Sequence, residues 1–367
     1  MGVTATAEDI AAIAQRFRVE GSIAAVAPVP GGHINDSFRV DMHPERGTSR
    51  SYLLQRLNRR VFPRPELVME NVVRVARHLA QRSARYPALI AVRDGHEWIT
   101  TSSGDVWRMF VFVPGASVRQ RVHSPADARA AGQAFGEFLR LLADDVLPLH
   151  ETLPGFHDTR ARFAQLEAAR SADVCHRVSD ALPEFAAVQA ERALADVLPP
   201  LLASGTVPMR VVHNDAKTGN VLLDEQTGAA LCVIDLDTVM LGSALYDFGD
   251  LVRSATSPSA EDEEDLSRVG VRLDLFEALT QGYLEAAGAV LTGPERGLLA
   301  FAGRLITLEQ AVRFLTDHLA GDRYYRIERP GHNLIRCRAQ LALLRSLTRQ
   351  AAVLERIVRE SSPGGRH

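Results

Sequence analysis

Val211-Val212-His213-Asn214-Asp215-Ala216-Lys217-Thr218-Gly219-Asn220-Val221-Leu222 is the densest polar string between apolar flanks in this 367-residue chain. Apolar residues on both sides make it a loop between two short strands. Shortly after it, Cys232-Val233-Ile234-Asp235-Leu236-Asp237 repeats the form, an apolar strand that ends in carboxylates. Polar groups at strand mouths are held rigidly at an edge that a ligand can reach. Phosphoryl transfer needs a carboxylate to orient the attacking hydroxyl and accept its proton, and oxygen ligands for the Mg²⁺ that bridges the phosphates. Asp215, Asn220 five residues on, and Asp235 at the next strand end meet that list. Read alone, His213-Asn214-Asp215 is equally a polar turn capped by Asn220. The second strand-end aspartate and the two-part chain around the loop favour the chemical reading.

Upstream, the pattern is short and extended. Residues 7–17 read as an amphipathic helix. Ser22–Pro30 and Ser37–Met42 read as strands joined by Gly31-Gly32-His33-Ile34-Asn35-Asp36, and Ser51–Leu57 as a third strand. Pro65 opens a helix with Val68, Val72, Val75 and Leu79 at helical spacing. Further strands are expected at Pro87–Val92, Glu97–Thr101 and Val106–Val113, and Pro114-Gly115 breaks the pattern. We place a domain boundary there, giving an N-terminal lobe of residues 1–113 and a C-terminal lobe of 114–367. The second region is helical over 125–143, 159–178, 183–204, 244–254, 270–288, 294–320 and 332–358. Three short strands interrupt it at Met209–His213, Val221–Asp224 and Leu231–Asp235. The acidic run Glu261–Asp265 reads as a solvated surface. The fold class is α+β, a small β-rich lobe joined to a larger helical one.

Composition removes several classes. With 42 basic and 45 acidic side chains the net charge is −3, which argues against binding nucleic acid or anionic lipid by bulk charge. No apolar run is long enough for a membrane span, and the first residues lack a secretory pattern, so a cytoplasmic protein is expected. Cys175, Cys232 and Cys337 are scattered and lack metal-ligand spacing, which suits free thiols. All but one of the basic residues are arginine, and Lys217 is the sole lysine. A Walker A loop needs Gly-Lys-Ser/Thr, so P-loop chemistry is excluded. GxGxxG, HExxH and GxSxG are absent too.

HNDAKTGN at 213–220, VIDLD at 233–237 and LYDFGD at 245–250 resemble the catalytic and metal-binding motifs of the aminoglycoside-phosphotransferase-like kinase family. GGHINDSFRV at 31–40, YLLQRLN at 52–58 and FLTDHLAGDRYYRIERPGHNLIRCRAQ at 314–340 are similar to its N-acetylhexosamine 1-kinase branch. The resemblance touches both lobes and implies a bilobal, protein-kinase-like fold. It implies Asp215 as the catalytic aspartate, Asn220 and Asp235 as Mg²⁺ ligands, and Asp247 as a structural brace. Lys217 falls where many kinases keep a lysine near the transferred phosphate. The fold usually carries a lysine on its third strand, and none exists here. Arg56 is the candidate substitute, because its fixed charge and fork suit phosphate. Glu70, the obvious helix partner for it, lies nearly opposite the apolar stripe and reads as solvated. Gly31 and Gly32 would let backbone amides approach nucleotide phosphates. Phe110–Pro114, with Phe112 and Val113, resembles the hinge that reads a nucleobase. His33, Arg313 and Tyr324 are implied as sugar contacts.

The reading is a Mg²⁺-dependent kinase that moves the γ-phosphoryl of ATP, or another nucleoside triphosphate, to the anomeric hydroxyl of GlcNAc or GalNAc. Other acceptors stand as alternatives: another sugar, an aminoglycoside, choline or homoserine. So do an inactive nucleotide-binding protein and, less well equipped with ligands, a metal-dependent phosphohydrolase. A small sugar and a nucleoside triphosphate are the expected partners, with nucleic acid and membrane excluded. A monomer or a weak homodimer fits equally.

Overall fold

The computed structural model describes residues 7–29, 34–43, 49–143 and 149–362. The chain divides into two compact units. Among the described residues the first takes those up to Ala116, together with residues 149–153 and Leu236–Val239, and the second takes the rest.

The first unit contains α1 (Ala7–Gln15), β1 (Ser22–Pro28), β2 (Asp36–His43), β3 (Arg50–Arg56), α2 (Pro65–Arg82), β4 (Ile99–Thr100) and β5 (Val106–Val111). The strands form one antiparallel sheet in the order β1-β2-β3-β5-β4. Alternate residues point to one face of a strand. Val40 and Met42, Tyr52 and Leu54, and Trp107 and Met109 are accordingly buried together. Ile10, Ala14 and Phe17, spaced as one helical face, close that core. Pro65 starts α2, where its missing N–H costs nothing. The expected strand Pro87–Val92 is not continuous. It makes isolated bridges through Leu89 to Phe110 and through Val92 to Phe17, because Pro87 has no N–H to donate and the chain turns at Gly95.

The second unit follows with β6 (Ala116–Val118), α3 (Pro125–Leu141), α4 (Thr159–Ala172), α5 (Leu182–Ala190), α6 (Leu198–Ala203), β7 (Arg210–Val212), β8 (Val221–Asp224), β9 (Ala230–Val233), β10 (Met240–Gly242), α7 (Ala244–Ala255), α8 (Leu273–Ala287), α9 (Gly293–Gly297), α10 (Leu299–Leu319), α11 (His332–Arg349) and α12 (Ala351–Ser361). Several expected helices are shorter or divided. The 159–178 helix stops at Ala172, where Asp173 takes a left-handed conformation. The 183–204 helix breaks into α5, a 3₁₀ segment and α6, which starts at the Pro199-Pro200 pair. The long C-terminal helix divides at Gln350, whose side chain reaches the Val271 carbonyl. Packing in this unit depends on close backbone approach. A Cβ on Gly132 of α3 would lie 2.2 Å from the Leu279 carbonyl of α8, and one on Gly282 would lie 2.3 Å from Arg129 of α3. Around α10, Leu308, Val312, Phe314 and Leu315 bury against Phe163 and Leu166 of α4 and Cys337 and Leu341 of α11.

The acidic run is not simply solvated. Glu261 pairs with Arg253, Asp262 and Glu264 with Arg329, and Asp262 also with His332. No described helix is long and apolar enough to cross a membrane. Cys175, Cys232 and Cys337 are all free thiols.

Candidate active site

β7 pairs antiparallel with β10, and the chain leaves β7 at Val212 straight into the polar loop. The loop is braced from below by Asp247, one turn into α7, which is buried. Its two carboxylate oxygens accept the N–H groups of His213 (2.8 Å) and Asn214 (2.7 Å). Burial pushes the Asp247 carboxyl up, and these N–H donors act against that rise. His213 is fully buried with its ring edge-on to Phe135 and Phe138. Its Nε2 donates to the Ile234 carbonyl (2.9 Å) and its Nδ1 accepts the Asp215 N–H (3.3 Å). Asn214 has a φ of 63°, the left-handed region that a non-glycine residue holds only under constraint.

Asp215 emerges from this scaffold. Its Oδ2 accepts hydrogen bonds from Lys217 Nζ (2.9 Å) and Asn220 Nδ2 (3.0 Å). Burial alone would raise the Asp215 carboxyl, but the Lys217 ammonium, His213 and the Asn220 hydrogen bond overcome it and hold it well below the usual range. In the same way Asp215, with Asp235 and Asp250, raises Lys217 against the desolvation that would lower it. The sole lysine is therefore the counter-ion of the loop carboxylate.

Strand register brings the backbone at Asn220 beside the residue before Asp235. Val221 of β8 pairs with Val233 of β9, and the Ile234 N–H donates to the Asn220 carbonyl (2.9 Å). Asp235 follows directly, with a φ of 65°. With Nδ2 engaged on Asp215, Asn220 has its Oδ1 as a metal-capable oxygen. One amide oxygen and one carboxylate fit Mg²⁺, which takes one or two protein oxygens and completes its shell with phosphates and water.

Two of the implied acceptor residues, Arg313 and Tyr324, come together. The Arg313 guanidinium lies 5.0 Å from the Phe156 ring centroid, 5.7 Å from Tyr324 and 5.6 Å from Tyr325. Burial disfavours its charge, yet Tyr325, Tyr324, Glu309 and Asp215 act together to raise it. The Tyr324 segment is fixed by Asp317. Its carboxylate accepts the N–H groups of Arg323, Tyr324 and Tyr325 at 2.8–2.9 Å and the Asn333 amide at 2.9 Å.

Sequence reasoning missed Asp317. It missed His157 and Glu309 as well, a buried pair joined at 2.8 Å. Burial lowers the His157 ring, but the Glu309 charge outweighs it and the net shift is upward. Glu309 follows the mostly apolar run Leu305–Leu308 of α10 and lies one turn before Arg313, and that was the available signal.

In the first unit Arg56 ends β3 opposite Asp36, and its Nε and Nη2 both bond Asp36 Oδ2 (2.9 and 2.6 Å). It also sits 5.6 Å from the Trp107 ring centroid. Glu70 is engaged with Arg74 (2.9 Å) and His150 (2.7 Å). Phe112 stacks under Arg39 and bonds the Ser51 carbonyl through its N–H, with Val113 beside it. Gly31, Gly32 and His33 lie outside the described residues. Among the described residues of this unit Arg108 is a buried cation, 1% exposed, which pairs with Asp237 and donates to Gln55 Oε1 (3.0 Å). Asp237 also accepts from Asn35 (2.7 Å). The two aspartates of VIDLD thus have different settings: Asp235 follows β9 in the second unit, and Asp237 belongs to the first.

The sequence profile of the phosphotransferase enzyme family matches residues 25–291, well over half of the chain. The chain belongs to the phosphotransferase enzyme family. Solved structures share the fold at low identity. This phosphotransferase superposes on a microcompartment-associated aminopropanol kinase with a TM-score of 0.60 and 16% identity, over 94% of this chain and 97% of that one. An amicoumacin kinase in complex with AMP-PNP, Ca²⁺ and Ami gives 0.58 and 12%, over 90% and 91%. A spectinomycin phosphotransferase in complex with ADP and spectinomycin gives 0.54 and 15%, over 88% and 93%. The mixed fold, with a β-sheet N-terminal region and a helical C-terminal region, agrees with the expected class.

Proposed function

We propose that this phosphotransferase moves the γ-phosphoryl group of a nucleoside triphosphate directly to a hydroxyl of a small molecule, and that the acceptor is the anomeric 1-OH of an N-acetylhexosamine. The observation that carries the reaction is Asp215, a carboxylate held ionised by Lys217 and Asn220 on a loop braced by Asp247. A carboxylate so depressed is a weak base. Its part is to accept a hydrogen bond from the attacking hydroxyl, align the oxygen, and take the proton as the new O–P bond forms. Such late transfer suits a loose phosphoryl-transfer transition state, which depends on positioning and charge. The bond from Pγ to the β-phosphate oxygen breaks, and the nucleoside diphosphate leaves. Mg²⁺ on Asn220 and Asp235, when bound, would neutralise charge on the phosphates. Arg56, Phe112, Val113, Gly31 and Gly32 would hold the nucleotide, with Asp36 released or shared as Arg56 turns to phosphate.

The acceptor class is supported by charge. Arg313 lies among Phe156, Tyr324 and Tyr325 with its charge coupled to Asp215, and the neighbouring Glu309 divides its own charge between Arg313 and His157. A fixed guanidinium there repels a cationic amine, whereas an arginine among aromatic rings suits the hydroxyls and amide oxygen of a neutral sugar. This favours N-acetylhexosamines over aminoglycosides, choline or other amino alcohols. Arg313 and Tyr324, with His33, are the sugar contacts in this reading.

The test is coupled release of nucleoside diphosphate with ATP and Mg²⁺ across GlcNAc, GalNAc, glucose, galactose, homoserine, choline and an aminoglycoside, with Asp215→Asn alongside. Turnover with N-acetylhexosamines is expected, and Asp215→Asn lowers it by roughly 10²–10⁴-fold. Release with a cationic acceptor alone overturns the sugar assignment. A folded Asp215→Asn variant at full rate overturns the role of Asp215. No release with any acceptor, while nucleotide still binds, leaves an inactive binder.

A further inference from the structure

We infer that the buried His157–Glu309 ion pair is a positioning device for the transfer step, gripping the catalytic loop from behind Asp215; the inference rests on the reaction proposed above. His157 uses both ring nitrogens. Nδ1 meets Glu309 Oε1 at 2.8 Å, and Nε2 meets the carbonyl oxygen of Asn214 at 3.0 Å. With Glu309 ionised, as the lowering of its carboxyl by His157 favours, both partners are acceptors and an imidazolium ring satisfies the two of them. The side chains of His157 and Glu309 are only 6% and 1% exposed. Glu309 also accepts the Thr159 hydroxyl (2.7 Å) at the start of α4, and the ring stacks on Tyr246 at 4.6 Å.

The consequence falls on one residue. Asn214 is held at its N–H by Asp247 and at its carbonyl by His157, so the peptides on both sides of a left-handed residue are fixed. The second of those peptides leads directly into Asp215. Glu309 also lies one helical turn from Arg313, whose charge it shares with Asp215. The pair therefore stands behind both the residue that orients the hydroxyl and the residue assigned to the acceptor. Stability alone is a weak account of it, because a buried ion pair is often no better than apolar residues of equal volume. Registry of a strained loop does account for it.

The experiment compares His157→Gln, Glu309→Gln and the double variant in the full chain, with steady-state kinetics and thermal unfolding. Glu309→Gln is isosteric and keeps an acceptor for Thr159, so it carries the test if His157→Gln fails to fold. Loss of loop registry is expected to lower kcat on the order of 10–100-fold while the nucleotide KM stays within about twofold. The double variant should be no worse than the poorer single one, because the two side chains act as a unit. Undiminished kcat in folded Glu309→Gln, or multiplicative losses in the double variant, overturns the inference. If the wild-type protein transfers to no acceptor, the proposed reaction fails, and backbone amide NMR signals then decide the positioning role. Signals of residues 213–217 that move in Glu309→Gln support the grip on the loop, and unmoved signals refute it.

Discussion

Replacing Asp247 by asparagine isolates what the loop of residues 213–220 rests on. The carboxylate accepts two backbone N–H groups, His213 at 2.8 Å and Asn214 at 2.7 Å, in a site closed to water. Hydrogen bonds to a charged group contribute about 1.5–3 kcal/mol each, and a buried donor left without an acceptor costs about 1–3 kcal/mol. Asparagine keeps one oxygen and turns an NH₂ group toward the other donor. Asp247→Asn should therefore lose about 1.5–3 kcal/mol, and Asp247→Ala, which strands both donors, about twice that. Set against a total stability of roughly 5–15 kcal/mol, the alanine variant is close to unfolding and the asparagine variant is not. Urea unfolding followed by far-UV circular dichroism gives the stability, and the coupled diphosphate-release assay gives turnover. Turnover of Asp247→Asn should fall on the order of 10²-fold, as expected when a reacting group is misplaced by about an ångström. A variant within about 0.5 kcal/mol of wild type would mean that the two N–H groups find other partners and that Asp247 is not the brace.

The first unit has its own buried charge to test. Arg108→Met leaves Asp237 without its guanidinium, and the variant should lose about 3–5 kcal/mol in chemical denaturation, a loss much reduced when Asp237→Asn is combined with it. Independent, additive losses would show that Arg108 matters only for packing. The His157–Glu309 pair also sets a pH dependence. Glu309 raises the His157 ring, so its contribution is complete below the unfolded value of about 6.5 and is lost as pH rises through the higher folded value. Glu309 is lowered and contributes above its ordinary range, with loss only as pH falls through its folded value. The melting temperature should therefore decline from about pH 6.5 upward in the wild type and less steeply in His157→Gln. Parallel curves would show that the ring does not titrate in that range.

The loop and its neighbours are legible for a local reason. Asp215, Lys217, Asn220 and Asp235 lie within a few residues of two strand ends, so spacing alone brings them near one another, and register completes the placement. Arg313 and Tyr324 are also close in sequence, so one helix turn and a fixed segment bring them together. Their anchors are less legible. Asp317 works through three backbone N–H groups, which no residue identity advertises. Arg56 is the converse case: its charge suggests phosphate, yet register sets it against Asp36.

From the sequence alone came the polar loop between strands, the second strand-end aspartate, the sole lysine and the change from extended to helical pattern, because periodicity and short-range spacing encode these directly. The tertiary structure decided which distant side chains stand behind them. His157 reaches Asn214 across 57 positions and Glu309 across 152, while Asp237 pairs with Arg108 within the first unit. Burial supplies the physical reason. A charge in an apolar setting must find a partner wherever the fold brings one, and sequence separation has no bearing on which partner that is.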